Sequence, residues 1–147
     1  MNTSTIRRLL ASDNTAAALV LRVPVGIIFA AHGAQKLFGW FGGHGLEGTG
    51  QYLASIGLEP GFLMALLAGG AEFFGGLALV LGLLVRPAAA ALAFAMLVAI
   101  FAAHWSSGFF AASGGYEFAL ALFAASLSLV FSGGGRYSLD RRFSGEG

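Results

Sequence analysis

The fold is decided by the stretch GFLMALLAGGAEFFGGLALVLGLLV, which occupies residues 61–85. Glu72 is the one ionisable side chain within it. About 20 apolar residues in a helix cross a hydrocarbon core of about 30 Å, so this stretch predicts a transmembrane helix long enough to tilt. Strands of a membrane barrel would alternate apolar and polar residues, and this stretch does not alternate.

Three further apolar segments, at residues 16–38, 87–104 and 116–131, extend this pattern along the chain. The last is short, and we expect its helix to begin before Tyr116. Together the four segments predict an all-α membrane protein, an antiparallel four-helix transmembrane bundle. We divide the chain into an amphipathic N-terminal segment (1–15), the transmembrane domain (16–132) and a C-terminal tail (133–147).

Two short elements outside the spans are also predicted. Residues 4–13 are expected to form an amphipathic helix on the inner membrane surface. The glycine-rich loop 39–60 is expected to contain a short helix over residues 49–56. This loop either covers the bundle as a lid or simply connects two spans.

Composition agrees with a bilayer environment. Of 147 residues, 57% are hydrophobic and 10% charged, and the mean hydropathy is +0.80; soluble domains carry about 25% charged residues. The net charge of +1, without a basic or aromatic-basic patch, gives no indication of a nucleic-acid partner. The absence of cysteine excludes thiol–disulfide chemistry, thiolate metal sites and c-type haem attachment.

The positions of the arginines predict how the chain is oriented across the membrane. Six of them fall on the N-terminal tail, the second loop and the C-terminal tail, whereas one lysine, Lys36, lies on the opposite side. Basic residues favour the cytoplasmic side. We therefore expect a multi-pass protein of the bacterial inner membrane with both termini in the cytoplasm.

A shift of 72 residues reveals a candidate internal repeat. It superposes residues 29–32 (FAAH) on 101–104, and also matches Phe38 to Phe110 and 42–43 to 114–115. In a chain biased toward Ala, Gly and Phe such matches also arise by chance. A true repeat would give two helical hairpins with His32 and His104 in equivalent positions.

Ionisable groups inside a span cost about 2.5–3.5 kcal/mol each and usually face the bundle interior. At about 1.5 Å per residue, Glu72 falls near the midplane, and the two histidines share one level in the outward half. Pairing of Arg22 with Glu72 at mid-depth and of Lys36 with Glu117 at the outer rim would neutralise the charges. The candidate site residues are Arg22, His32, Lys36, Glu72, His104 and Glu117.

Each of these groups also has a purely structural interpretation. Charge pairs can fix helix register, and a membrane histidine can be an interhelical hydrogen-bonder. Two histidines and two carboxylates could bind a divalent metal, or the histidines a haem, but the spacing supports neither specifically. We assign no metal ligands, and we find no nucleotide-binding loop, metalloprotease motif or nucleophile elbow.

The assembled residues resemble the DoxX family of small four-helix membrane proteins over about residues 20–140. The resemblance extends to the tail, where glycine stands at position 134 although proline would be expected. The matching positions are Arg22, Gly26, His32, Gly33, Lys36, Glu72, Gly76, Leu79, Gly82, Arg86, Met96, Ala99, His104, Glu117, Gly133, Gly135, Arg136, Tyr137, Ser138, Leu139 and Asp140. The resemblance implies a membrane component of redox systems, since relatives include small subunits of thiosulfate:quinone oxidoreductase and proteins linked to oxidative or sulfur stress.

These observations lead to three functional hypotheses. In the first, the chain is a quinone-interacting subunit, itself catalytic or not, that works with a partner oxidoreductase and has no covalently bound cofactor. The histidines would then bind the quinone carbonyls, and Glu72 or Glu117 would exchange the protons that accompany two electrons. In the second, it is an anchoring subunit; in the third, a metal-binding protein or small-solute transporter. A homo-oligomer is compatible with each.

Overall fold

The computed structural model describes residues 2–11 and 15–145, which form helices and turns without any strand. Among these described residues, three helical stretches are long and apolar enough to span a membrane: Ala17–Phe38, Gly61–Leu81 and Val85–Ser107. The helices are α1 (Thr3–Leu10), α2 (Ala17–Phe38), α3 (Gly45–Ser55), α4 (Gly61–Leu81), α5 (Val85–Val98), α6 (Glu117–Ser132) and α7 (Leu139–Ser144). Beyond Val98, α5 continues as a π-helix over Ala99–His104 and a 3-10 turn over Trp105–Ser107.

The helix boundaries differ from the sequence predictions at several places. Helix α4 ends at Leu81 because Gly82 adopts a left-handed conformation (φ 71°) that closes the helix. Helix α6 begins at Glu117, so the expectation that it starts before Tyr116 is wrong; a loop with a 3-10 turn precedes it. Helix α3 begins four residues earlier than predicted, and α1 ends at Leu10. Residues 12–13 of the predicted N-terminal helix lie outside the described residues.

Helices α2 and α4 form the most extensive pair, and α5 and α6 the next. A Cβ atom added to Gly26 would lie 2.6 Å from the carbonyl oxygen of Gly76, and one added to Gly33 would collide with the backbone of Phe73. The backbones therefore touch, as small residues allow in membrane helices. Because the α4 partner falls in number as the α2 residue rises, the two helices run antiparallel.

Contacts of α4 with α5 and of α2 with α6 complete the packing around a shared core. Phe29, Leu79, Leu92 and Leu129 are fully buried there. Large apolar side chains also cover the outside, where the phenylalanines at positions 62, 74, 94, 101 and 131 are each more than 60% exposed. Apolar surface on this scale requires a lipid environment or a partner.

Candidate functional site

A cavity of about 260 Å³ lies between α2, α4, α5 and α6, near the ends of α2 and α5 where His32 and His104 stand. Two of its lining residues, Ala111 and Gly114, are exposed, so the cavity reaches the molecular surface at this end. Four of the six predicted site residues border it. They are His32, Lys36, Glu72 and His104, among apolar neighbours that include Phe29, Met96, Phe118 and Leu122.

The charged pair in this cavity is formed by Lys36 and Glu72. The Lys36 ammonium donates to Glu72 Oε2 at 2.6 Å, and the two side chains are 27% and 6% exposed. The flexible stem of lysine lets its ammonium reach along α2 to the level of Glu72. A buried carboxylate without such a partner would be costly, so this pair keeps two charges available beside the cavity.

His104 reaches the cavity through an irregularity in its helix. Residues five apart in an α-helix are separated by about 140° around the axis, whereas in the i→i+5 bonding pattern of a π-helix they lie near one face. The π-helix over Ala99–His104 therefore brings Ala99 and His104 to the same cavity wall. The His104 Nδ1 atom lies 2.9 Å from the carbonyl oxygen of Gly114, which fixes the ring.

His32 has a different environment on α2. Its ring centroid lies 6.0 Å from that of Phe118 at an interplanar angle of 46°. Phe118 both lines the cavity and is 45% exposed on the outside of α6. His32 therefore lies beside a ring that is itself partly exposed to the surroundings of the bundle.

The predicted pairing of Arg22 with Glu72 is wrong. Gly33 lies against Phe73 in the observed register of α2 and α4, so Glu72 stands at the level of His32. Arg22 is ten residues earlier on α2, which corresponds to about 15 Å along the helix. Lys36, one turn beyond His32, reaches Glu72 instead.

Arg22 belongs to a polar network at the opposite end of the bundle, hereafter the polar clasp. Its guanidinium donates to the carbonyl oxygens of Leu79 (2.8 Å), Val80 (2.9 Å) and Gly134 (3.0 Å), and also to that of Tyr137. The two α4 carbonyls lie in the last turn of that helix, where regular helical partners are lacking, and Leu79 O also accepts from Gly82 N at 3.2 Å. Arg22 is 1% exposed, so the guanidinium links α4 to the tail from inside the protein.

Asp140 forms the other half of the polar clasp and is also 1% exposed. Its carboxylate accepts from Leu84 N at 2.6 Å and Val85 N at 2.8 Å, the amides of the N-cap residue and of the first residue of α5. A negative group is favourable at a helix N-terminus. Burial raises the pKa of Asp140, and these two hydrogen bonds and the nearby arginines oppose that rise.

The predicted rim pair of Lys36 and Glu117 is also wrong. Glu117 is exposed, does not border the cavity, and accepts from Ala111 N at 2.9 Å. It begins α6 and braces the preceding loop, because its side chain folds back onto that backbone. The loop in turn presents Gly114 to His104.

Comparison with known proteins gives the chain its family. The DoxX family model matches residues 17–105, which include all four polar cavity residues and all but the last two residues of the three spanning stretches. The chain belongs to the DoxX family. No solved structure matches it.

Three curated relatives cover most of the chain. A Bacillus subtilis protein named "Putative oxidoreductase CatD" is 35% identical over 122 residues, 83% of each chain. The Mycobacterium tuberculosis membrane protein Rv3486 is 33% identical over 147 residues, 93% of this chain and 87% of its own. The Escherichia coli inner membrane protein YqjF is 34% identical over 125 residues, 84% of this chain and 88% of its own.

Within this DoxX protein, sequence reasoning overlooked Asp140 as a buried acceptor and Phe118 and Gly114 as cavity residues. An acid directly before two arginines in the tail is a signal for the first. The other two follow only from the way α6 and the loop before it pack. In the part of the chain that the structure describes, no three His, Cys, Asp or Glu side chains form a metal-binding group. The metal-binding hypothesis therefore lacks a ligand set in those residues.

Proposed function

We propose that this DoxX protein is a redox-associated subunit that binds a quinone or quinol in the cavity and works with a partner oxidoreductase. The observation that supports this most strongly is the composition of the cavity wall: two imidazoles and one ion pair among apolar and aromatic side chains. Small-molecule sites are usually apolar with a few polar groups that orient the ligand. The name of the Bacillus subtilis relative points in the same direction.

The chemistry of a quinone head group matches these residues. Its ring would pack against Phe29, Met96 and Phe118, and its oxygens would meet His32, His104 and the Lys36 ammonium. Glu72 holds the ammonium in place and can accept a proton from it or from the ligand. Electrons pass between the quinone and the partner oxidoreductase, whose redox centre supplies the electron-transfer chemistry.

The membrane setting supports the same proposal. In our proposal the protein lies in the bacterial inner membrane as an antiparallel four-helix bundle, with α6 as the fourth and shortest span. The arginine-bearing termini and the polar clasp are cytoplasmic, and the cavity lies in the outward half. Lipid-soluble quinones then reach the cavity directly from the bilayer.

The test is titration of a short-chain ubiquinone into the full-length protein in lipid nanodiscs, followed by tryptophan fluorescence, since Trp105 is adjacent to His104. We expect saturable binding that is weakened at least tenfold in the His32→Ala/His104→Ala variant. Arg142→Gln, on the exposed tail, is the matched control and should bind as the parent does. Non-saturable partitioning that is identical in all three proteins would reject the proposal.

A further inference from the structure

The two cavity histidines differ in how their nitrogens are engaged. His104 Nδ1 lies 2.9 Å from the Gly114 carbonyl oxygen, whereas no described residue forms a hydrogen bond with His32. A carbonyl oxygen can only accept, so the His104 Nδ1 atom must be the donor. In the neutral ring the proton is then on Nδ1, and Nε2 has a free lone pair.

Two structural features hold His104 in this state. The π-helix over Ala99–His104 sets the side of the helix from which the ring projects, as described above. The Gly114 carbonyl is presented by a loop that is itself fixed, because Glu117 accepts from Ala111 N and Gly115 N donates to Phe110 O at 2.9 Å. The ring and its acceptor therefore come from separate, independently fixed segments.

We infer that His104 offers the cavity a hydrogen-bond acceptor, so the site selects a ligand that bears an O–H donor, namely a quinol over its quinone. This inference rests on the proposed function and deepens it. A quinone has two carbonyl oxygens and can only accept, so it would leave Nε2 of His104 without a partner. A quinol donates to that nitrogen with one hydroxyl.

Two of the remaining polar groups of the cavity, Lys36 and His32, can bind the second oxygen of either a quinol or a quinone. The Lys36 ammonium carries three donors, and one of them serves Glu72. It can donate to the second oxygen of a quinol or to either oxygen of a quinone. His32 can adopt either tautomer and does not discriminate. The preference for the reduced ligand thus depends on His104, which is a binding residue that would also receive the proton of the bound hydroxyl.

The tautomer can be measured without any ligand. Full-length protein with ¹⁵N-labelled histidine in nanodiscs should give, at neutral pH, one ring with a protonated Nδ1 and an unprotonated Nε2. That signal should disappear in His104→Phe and persist in His44→Gln and His32→Phe. A His104 ring protonated at Nε2, alone or together with Nδ1, would overturn the inference.

The ligand preference is measured with a short-chain ubiquinol and the matching ubiquinone. We expect the quinol to bind about three- to tenfold more tightly, as one additional hydrogen bond allows. His104→Phe should bring the two affinities together, and His32→Phe should preserve their ratio. Equal affinities in the parent would overturn the inference while leaving the proposed function intact. Absence of binding by both forms would reject the proposed function and the ligand assignment, while the tautomer would still be decided by the labelled protein.

Discussion

The charged side chains at the two ends of the bundle differ in how completely their hydrogen-bonding groups are paired. In the polar clasp, the Arg22 guanidinium is satisfied by four backbone carbonyls, and the Asp140 carboxylate by two backbone amides. Around the cavity, Lys36 and His104 each have one hydrogen-bond partner among the described residues, and both border open space. Charge that is saturated by backbone stabilises a fold, whereas charge with spare hydrogen-bonding capacity beside a cavity is available to a ligand.

The largest expected effect is on the polar clasp. Arg22→Met should lower the free energy of unfolding by about 3–5 kcal/mol, because it removes the hydrogen bonds to four backbone carbonyls and the positive charge near Asp140. Reversible unfolding of the purified protein in mixed micelles measures this loss. Arg142→Gln on the exposed tail is the control, with a change within about 0.5 kcal/mol. A loss below 1 kcal/mol for Arg22→Met would remove the distinction between the two ends.

The close contact of α2 with α4, between the two ends of the bundle, is tested by substitutions at two glycines of α4. Gly76→Ala should cost about 1–3 kcal/mol, since the added Cβ would meet the backbone of Ala30 and lie 2.6 Å from the Gly26 carbonyl oxygen. Gly70→Ala is the matched control, because nothing lies within 4 Å of its added Cβ. That substitution should be neutral or stabilise the helix by up to about 1 kcal/mol. Equal losses in the two variants would contradict the observed helix contact.

The ion pair of the cavity should contribute less to stability than the polar clasp. Lys36→Met should cost about 1–2 kcal/mol because it leaves the Glu72 carboxylate unpaired, and Lys36→Met/Glu72→Gln should recover part of that loss. Unfolding measurements on the four members of this double-mutant cycle give the coupling. Additive losses would show that the two side chains are not partners.

The smallest effect on stability is expected for the histidines. His32→Phe and His104→Phe should each change the free energy of unfolding by less than about 1 kcal/mol, because both rings face the cavity and have at most one hydrogen bond in the described structure. The same unfolding assay measures them. A loss of more than about 2 kcal/mol in the free energy of unfolding for either variant would show that the histidine has a structural role, as the residues of the polar clasp do.

Much of this arrangement follows from local sequence. Apolar length predicted the α2 and α4 spans to within a few residues, since each span must match the bilayer. The level shared by His32 and His104 follows from helix rise alone, and both residues border the cavity. Local properties of a single helix were sufficient for these predictions.

The pairing of charges could not be obtained in the same way. It depends on the register of α2 against α4, which is set by the contacts of Gly26 with Gly76 and of Gly33 with Phe73 rather than by depth in the bilayer. The pairing also depends on the tail, because the carbonyl oxygens of Gly134 and Tyr137 accept hydrogen bonds from Arg22. Residue order along one helix contains neither piece of information.

The most direct test of the central claim is identification of the small molecules that leave the purified protein with its lipids. Native mass spectrometry of the full chain, with chromatographic identification of the released molecules, should find a quinone or quinol in the parent protein and in Arg142→Gln. It should be depleted in His32→Ala/His104→Ala when that variant remains folded. Quinone at the same level in all three proteins, or in none, would contradict the account.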